Sequence, residues 1–272
     1  MFPVAFHVGG VSVPTHDVFV VLGAATGIIV FWWETRRRGL RDERMWWLVL
    51  GALLTGAVFA RLSAGWRYLA GDPEPSFAGL WLYGGKSVLG GLAGAYFGVL
   101  LTKRIVGYRE KTGDLFAPAA ALAIAVGRIG CFLTEPLGTP TSMPWGILPS
   151  PSIASRIPSC PACATGHPMH PAFLYEIAFL VALFGLLRWM RSRVSVPGEL
   201  FKVFLLCYGM FRFAVEFVRE NPRFALGLSG SQVFLLCTLP VLLGYFARQV
   251  RRGAYRRGRA PAPGRAPAPV EA

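Results

Sequence analysis

Charge is scarce in this chain, and negative charge scarcer still. Only 15% of the 272 residues are charged, 14 acidic against 28 basic, while 54% are hydrophobic and mean hydropathy is +0.48. So few charges cannot cover one ordinary soluble core, which points to a membrane class. The amino-terminal stretch lacks a basic n-region, a short apolar core and a small-residue cleavage site. The first apolar run is therefore expected to stay in the mature protein as a span rather than leave as a secretory signal. No internal repeat of the inverted-repeat transporter kind is visible, which lowers that reading modestly. The net charge of +14 would suit nucleic acid. However, long apolar runs punctuate the basic residues and no soluble binding fold lies between them, so no nucleic-acid partner is expected.

What the chain has instead is bilayer-length hydrophobicity. Apolar runs near 18–33, 45–60, 87–101, 115–133, 171–187, 200–218 and 232–246 predict about seven transmembrane helices in an all-α polytopic membrane protein. Arg36, Arg37, Arg38, Arg41 and Arg44 follow span one; Lys103, Arg104, Arg109 and Lys111 follow span three. Arg188, Arg191 and Arg193 follow span five, and Arg248, Arg251, Arg252, Arg256, Arg257 and Arg259 follow span seven. Every second connection is thus basic, which predicts a periplasmic amino terminus, a cytoplasmic carboxyl terminus, and outward loops at 71–85, 134–170 and 221–231. One transmembrane domain, 1–250, is expected. Behind it, 251–272 mixes arginine with Ala-Pro pairs that cannot bury apolar surface, and reads as a disordered cytoplasmic tail or stop-transfer flank touching anionic lipid.

Ionisable residues inside such spans are costly and normally face a protein interior, a watery cavity or a partner. Span six carries Tyr208, Arg212, Glu216 and Arg219 at spacings of four, four and three, which a helix places on one face. Either this is an internal salt-bridge ladder, or it is a substrate-facing site in which a spare guanidinium suits bidentate recognition of a phosphate. Arg128 is a second intramembrane charge, near the outer end of span four and flanked by Gly127 and Gly130. In span three Gly90, Gly94 and Gly98 recur at every fourth position, the close-packing face of a membrane helix, and Lys86 at its entrance either contacts headgroups or snorkels. Pro171 suits the first position of span five. His170 precedes it as a general base, a cap or an interfacial anchor. Tyr175 and Glu176 follow, to hold a polar substrate or to bond neighbouring helices.

Cys160, Cys163, His167 and His170 carry zinc-ligand residue types at a spacing irregular for a structural zinc finger. A Cys160–Cys163 disulfide and two free thiols compete with metal, and neither a metal nor a cofactor is expected. Cys131, Cys207 and Cys237, in or beside spans, read as small packing residues.

Taken in order, GGKSVLGGLAG, GRIGCF with Glu135 and Gly138 after it, HPAFLYE, and YGMFRFAVEFVRE resemble the motif series of prolipoprotein diacylglyceryl transferase, over roughly 83–220. The resemblance implies a seven-helix bacterial inner-membrane enzyme with a chamber toward the periplasm, open sideways to lipid. Its partners are phosphatidylglycerol, membrane lipid and the lipobox of a prolipoprotein signal peptide. By that resemblance Arg128 and Arg212 hold the phospholipid headgroup and stabilise charge on the departing glycerol phosphate. Tyr208 and Glu216 complete the catalytic set. Glu135, Gly138, Gly90, Gly91, His170, Tyr175 and Arg219 line the substrate. The nucleophile is the acceptor's own cysteine, so no cysteine of this chain is required. The chain departs from the family at two places. Leu89 stands before Gly90 and Gly91 where the enzymes carry a histidine; Cys131 replaces an asparagine, and 131–138 looks one residue short. His170, Glu135 or Tyr208 then remain as bases. A transferase leads; a non-catalytic lipid-binding or lipid-handling protein of the same fold is the alternative, and a transporter the third.

Overall fold

The computed structural model describes residues 4–9, 11–63, 87–149, 166–194, 196–221, 223 and 227–252. Expectations for Lys86, the outward loop at 71–85, Cys160, Cys163 and the tail beyond 252 lie outside the described residues. Seven α-helices are described: α1 (Thr15–Arg37), α2 (Arg44–Leu62), α3 (Val88–Ile105), α4 (Gly113–Thr134), α5 (Ala172–Met190), α6 (Glu199–Val215) and α7 (Gly230–Arg251). All but α6 are long and apolar enough to cross a membrane. Helices satisfy every backbone polar group within one segment, as a bilayer requires. This is an all-α polytopic membrane protein. Ahead of α1 lies a hairpin beyond the sequence reading, β1 (Val4–Val8) antiparallel to β2 (Val11–Pro14), with Val8 opposite Val11 and Val4 opposite Pro14.

The chain divides into two compact units: Met1–Gly23 with Thr112–Ala272, and Ala24–Lys111. In the second unit α2 and α3 pack antiparallel through the glycine stripe. A Cβ at Gly94 would lie 2.6 Å from the Thr55 carbonyl oxygen, and Cβ atoms at Gly90 and Gly98 would collide with the side chains of Ser63 and Thr55. The Thr55 hydroxyl donates across the contact to the Gly94 carbonyl at 2.8 Å. Gly91 also abuts α2, at Ala60 and Gly56. The stripe is thus a packing face, because only glycine lets the two backbones approach this closely.

In the first unit α4 packs against α5 and α6, α5 against α6, and α6 against α7. The small buried face of α4 (Ala117, Ala121, Ala125) lets larger residues of its neighbours close in, among them Phe173, Leu180, Leu187 and Phe204. The start of α6 is fixed by Asp114 of α4, whose carboxylate accepts from the backbone N–H groups of Gly198 at 2.9 Å and Leu200 at 3.0 Å. That is where a helix leaves its donors unpaired and favours negative charge. Ser229 and Gln232 close a capping box on α7, and Gln232 Nε2 donates to the Phe213 carbonyl of α6 at 3.4 Å.

Helix α6 differs from the expected span at 200–218. Its α-helical turns stop at Val215, Glu216–Val218 form a 3₁₀ turn, and Arg219 is extended, with φ −98° and ψ 145°. One continuous face from Tyr208 to Arg219 therefore does not exist. Tyr208 and Arg212 share a helical face, and Arg219 leaves along a different direction.

Candidate functional site

Within the first unit, α4, α5 and the end of α6 bring three arginines and two carboxylates into a buried cluster. Arg128, Glu176, Arg212 and Glu216 are all buried, as is Tyr208. Glu176 is the hub. Arg128 Nε lies 2.9 Å from its Oε1 and Arg219 Nη1 lies 3.6 Å from its Oε2, while the Tyr208 hydroxyl donates to Oε1 at 2.6 Å. Glu176 also lies in the field of Arg212. Arg128 Nε makes no hydrogen bond despite its closeness, and Arg219 Nη1 is too distant for one, so these contacts are charge pairs without directed hydrogen bonds. The ring of Phe173 lies beneath two guanidinia, 4.4 Å from Arg219 and 5.7 Å from Arg128, a cation–π arrangement that compensates part of their desolvation.

Arg212 is held on one side only. Its Nη2 meets Glu216 Oε2 at 3.0 Å, and Glu216 Oε1 accepts from Asn221 Nδ2 at 2.6 Å. Nε and Nη1 of Arg212 are buried with no hydrogen-bond acceptor among the described residues. Three guanidinia against two fully buried carboxylates leave one positive charge uncompensated in the buried set. A guanidinium with unused N–H groups beside such an excess is suited to an anion with several acceptor oxygens, a phosphate above all.

Glu135 sits at the rim, half exposed. Its Oε2 is 4.0 Å from Arg219 Nη2 and its Oε1 is 3.8 Å from His16 Nε2. Gly138 lies where three chain segments converge: an added Cβ would come 2.6 Å from the Val218 carbonyl oxygen and 2.7 Å from that of His170. The same segments are stitched by Thr139 N–H to Val218 O at 2.9 Å and His170 N–H to Thr139 O at 2.9 Å. Gly138→Ala is therefore expected to displace the turn that follows Glu135. The check is a melting midpoint in detergent, expected to fall by several degrees, with any activity falling alongside it.

His170 and Tyr175 form a separate cluster. Their Nδ1 and hydroxyl groups are 3.2 Å apart, exchanging a hydrogen bond whose direction follows the imidazole tautomer, and Trp145 Nε1 donates to the same hydroxyl at 2.7 Å. Gly90, Gly91 and Leu89 belong to the second unit. The structure thus gathers Arg128, Tyr208, Arg212, Glu216 and Arg219 around Glu176, with Glu135 at the edge.

Two participants were not singled out from the sequence. For Glu176 the sequence leaves two roles open, holding a polar substrate or bonding neighbouring helices, and gives no sign that it is the hub; a carboxylate at that depth is the available signal. His16 gave no signal at all, since nothing in local spacing relates it to Glu135. Cys131, read as a packing residue, is indeed buried, but it also accepts an N–H from Arg128 Nη1 at 3.5 Å.

The family model described as prolipoprotein diacylglyceryl transferase matches residues 3–248. A phosphatidylglycerol–prolipoprotein diacylglyceryl transferase of Bordetella parapertussis is 32% identical over 252 residues, 85% of this chain and 88% of that protein. Proteins of the same name from Nitratidesulfovibrio vulgaris and Dehalococcoides mccartyi are 32% and 28% identical, covering 89% and 92% of this chain and 91% and 94% of their own lengths. With a family-model match over nearly its whole length, the chain belongs to the prolipoprotein diacylglyceryl transferase family.

Proposed function

We propose that this protein transfers diacylglyceryl from phosphatidylglycerol to the lipobox cysteine of a prolipoprotein signal peptide, at the outer side of a bacterial inner membrane. The observation that carries this reading is Arg212, whose buried Nε and Nη1 have no acceptor among the described residues. Phosphodiester oxygens are acceptors of the kind those two groups lack. In the reaction the acceptor sulfur attacks the glyceryl carbon, a C–S bond forms, and the C–O bond to the phosphate breaks. The electron pair leaves with glycerol phosphate. Negative charge grows on that leaving group, where a preorganised guanidinium in a water-poor site is most effective. Glu176 and Glu216 hold the arginines in place, and the sulfur must lose its proton before or during attack.

Among groups to receive that proton, Tyr208 is committed as a donor to Glu176. His170 is tied to Tyr175, and Glu135 is the most accessible carboxylate of the cluster. Leu89 supplies no proton acceptor. That substitution favours the second reading, a lipid-handling protein that keeps the phosphate pocket without the chemistry.

One experiment separates them. Purified protein is incubated with phosphatidylglycerol and a lipobox peptide, beside the variant Leu89→His. Transfer by the unaltered chain is the expected result. Transfer only by Leu89→His would overturn the transferase reading in favour of lipid handling.

A further inference from the structure

Three side chains from the two chain segments of the first unit meet beside the arginine cluster. His16, near the start of α1, and Cys131 and Glu135, at the end of α4, place a ring nitrogen, a sulfur and a carboxylate oxygen all within 4.8 Å of one another. Cys131 is buried and the other two are half-buried. Gly130 makes the meeting possible, because a Cβ there would lie 2.8 Å from Phe19 Cβ and 3.2 Å from the His16 backbone.

The orientation of His16 is the second observation. Its Nδ1 lies 3.2 Å from Asp17 Oδ1, and its Nε2 faces Glu135 Oε1 at 3.8 Å. A carboxylate on one imidazole nitrogen fixes the tautomer and turns the other nitrogen, lone pair outward, toward the remaining ligands, as in carboxylate–histidine–zinc arrangements. Ligand bonds of about 2.0–2.3 Å in a tetrahedron put neighbouring ligand atoms about 3.3–3.8 Å apart, a separation His16 and Glu135 already have. The sulfur accepts an N–H from Arg128, the contact a thiolate would also make.

We propose that His16, Cys131 and Glu135 form a site for a borderline-soft divalent cation of the zinc class, with Asp17 positioning His16. Thiolate and carboxylate together neutralise a dication, and one nitrogen, one sulfur and one oxygen donor are the ligand set that such an ion takes. Three protein ligands leave the fourth tetrahedral position open. The guanidinia at 3.5 Å from Cys131 and 4.0 Å from Glu135 oppose a cation, so affinity is set below that of a closed four-ligand structural site.

The test uses Co²⁺ as a spectroscopic probe on the full-length protein in detergent, reduced and under anaerobic conditions. Cys160 and Cys163 are replaced by serine to remove competing thiols. A sulfur-to-cobalt charge-transfer band saturating at one equivalent is expected, displaced by one equivalent of Zn²⁺. Cys131→Ser should abolish the band, and His16→Gln should weaken binding at least tenfold. Asp17→Asn, which keeps all three ligands, should weaken it by about 10–100-fold. A protein that gives no stoichiometric band, or a band that survives Cys131→Ser, overturns the proposal.

Discussion

Arg212→Lys is expected to lower the rate of diacylglyceryl transfer by about a hundredfold or more, the effect of removing one preorganised donor from a developing anion. Lysine keeps the positive charge and can still reach Glu216. It cannot at the same time present the two further N–H groups that Arg212 directs away from Glu216, since an ammonium is a point charge and not a planar fork. Lysine is a better probe than alanine for this reason. Alanine would strand Glu216, a fully buried carboxylate, with Asn221 as its one hydrogen-bond donor among the described residues. An unpaired buried charge of that kind costs about 3–5 kcal/mol of stability. The measurement is initial rate against phosphatidylglycerol concentration, with the melting midpoint recorded for each protein. A lysine variant that transfers at the native rate would show that charge alone suffices and that bidentate recognition plays no part.

Glu176→Ala should be the most destabilising single change in the cluster. It removes the acceptor of the Tyr208 hydroxyl and the counter-charge of Arg128 and Arg219 together, leaving three guanidinia with one buried carboxylate. A loss of about 3–5 kcal/mol follows from uncompensated buried charge, and added salt should not restore it, because buried pairs are poorly screened. Glu176→Gln keeps volume and an acceptor for Tyr208, and should separate the loss of charge from the loss of packing. Pairing Glu176→Gln with Arg219→Gln removes one of the stranded cations, and should recover part of the stability lost in the single variant. Thermal melting in detergent across the four proteins of that cycle gives the coupling. Additive losses would mean that Glu176 and Arg219 do not depend on each other, despite their 3.6 Å separation.

Much of this architecture was legible before any coordinates, because the bilayer leaves few alternatives. The run at 45–60 became α2 (Arg44–Leu62) and that at 115–133 became α4 (Gly113–Thr134). The glycine stripe was readable as packing, since its period of four depends on helix geometry alone. Arg128 and Arg212 were readable as inward-facing because lipid would not accept them. What escaped was pairing. The four-four-three spacing puts Tyr208, Arg212, Glu216 and Arg219 on one helical face, but Arg219 lies beyond the last α-helical turn and goes to Glu176 on another helix. The hub itself depends on how α5 is rotated against α4 and α6, which no local pattern encodes. His16 meets Glu135 from the far end of the chain, and short-range periodicity is blind to such contacts. The N-terminal hairpin stood in front of a strong apolar run, whose signal dominated the reading.

The early end of α6 bears on membrane thickness. Seventeen helical residues cover about 26 Å at 1.5 Å per residue, against about 30 Å of hydrocarbon. The remaining rise is made by a turn that opens with Glu216 and runs into Arg219. Helix α6 therefore turns polar within less than a full hydrocarbon thickness of its start. Arg212 and Glu216 are buried among the neighbouring helices of the first unit, so protein rather than lipid shelters this polar turn, the setting in which non-helical backbone is tolerated at membrane depth.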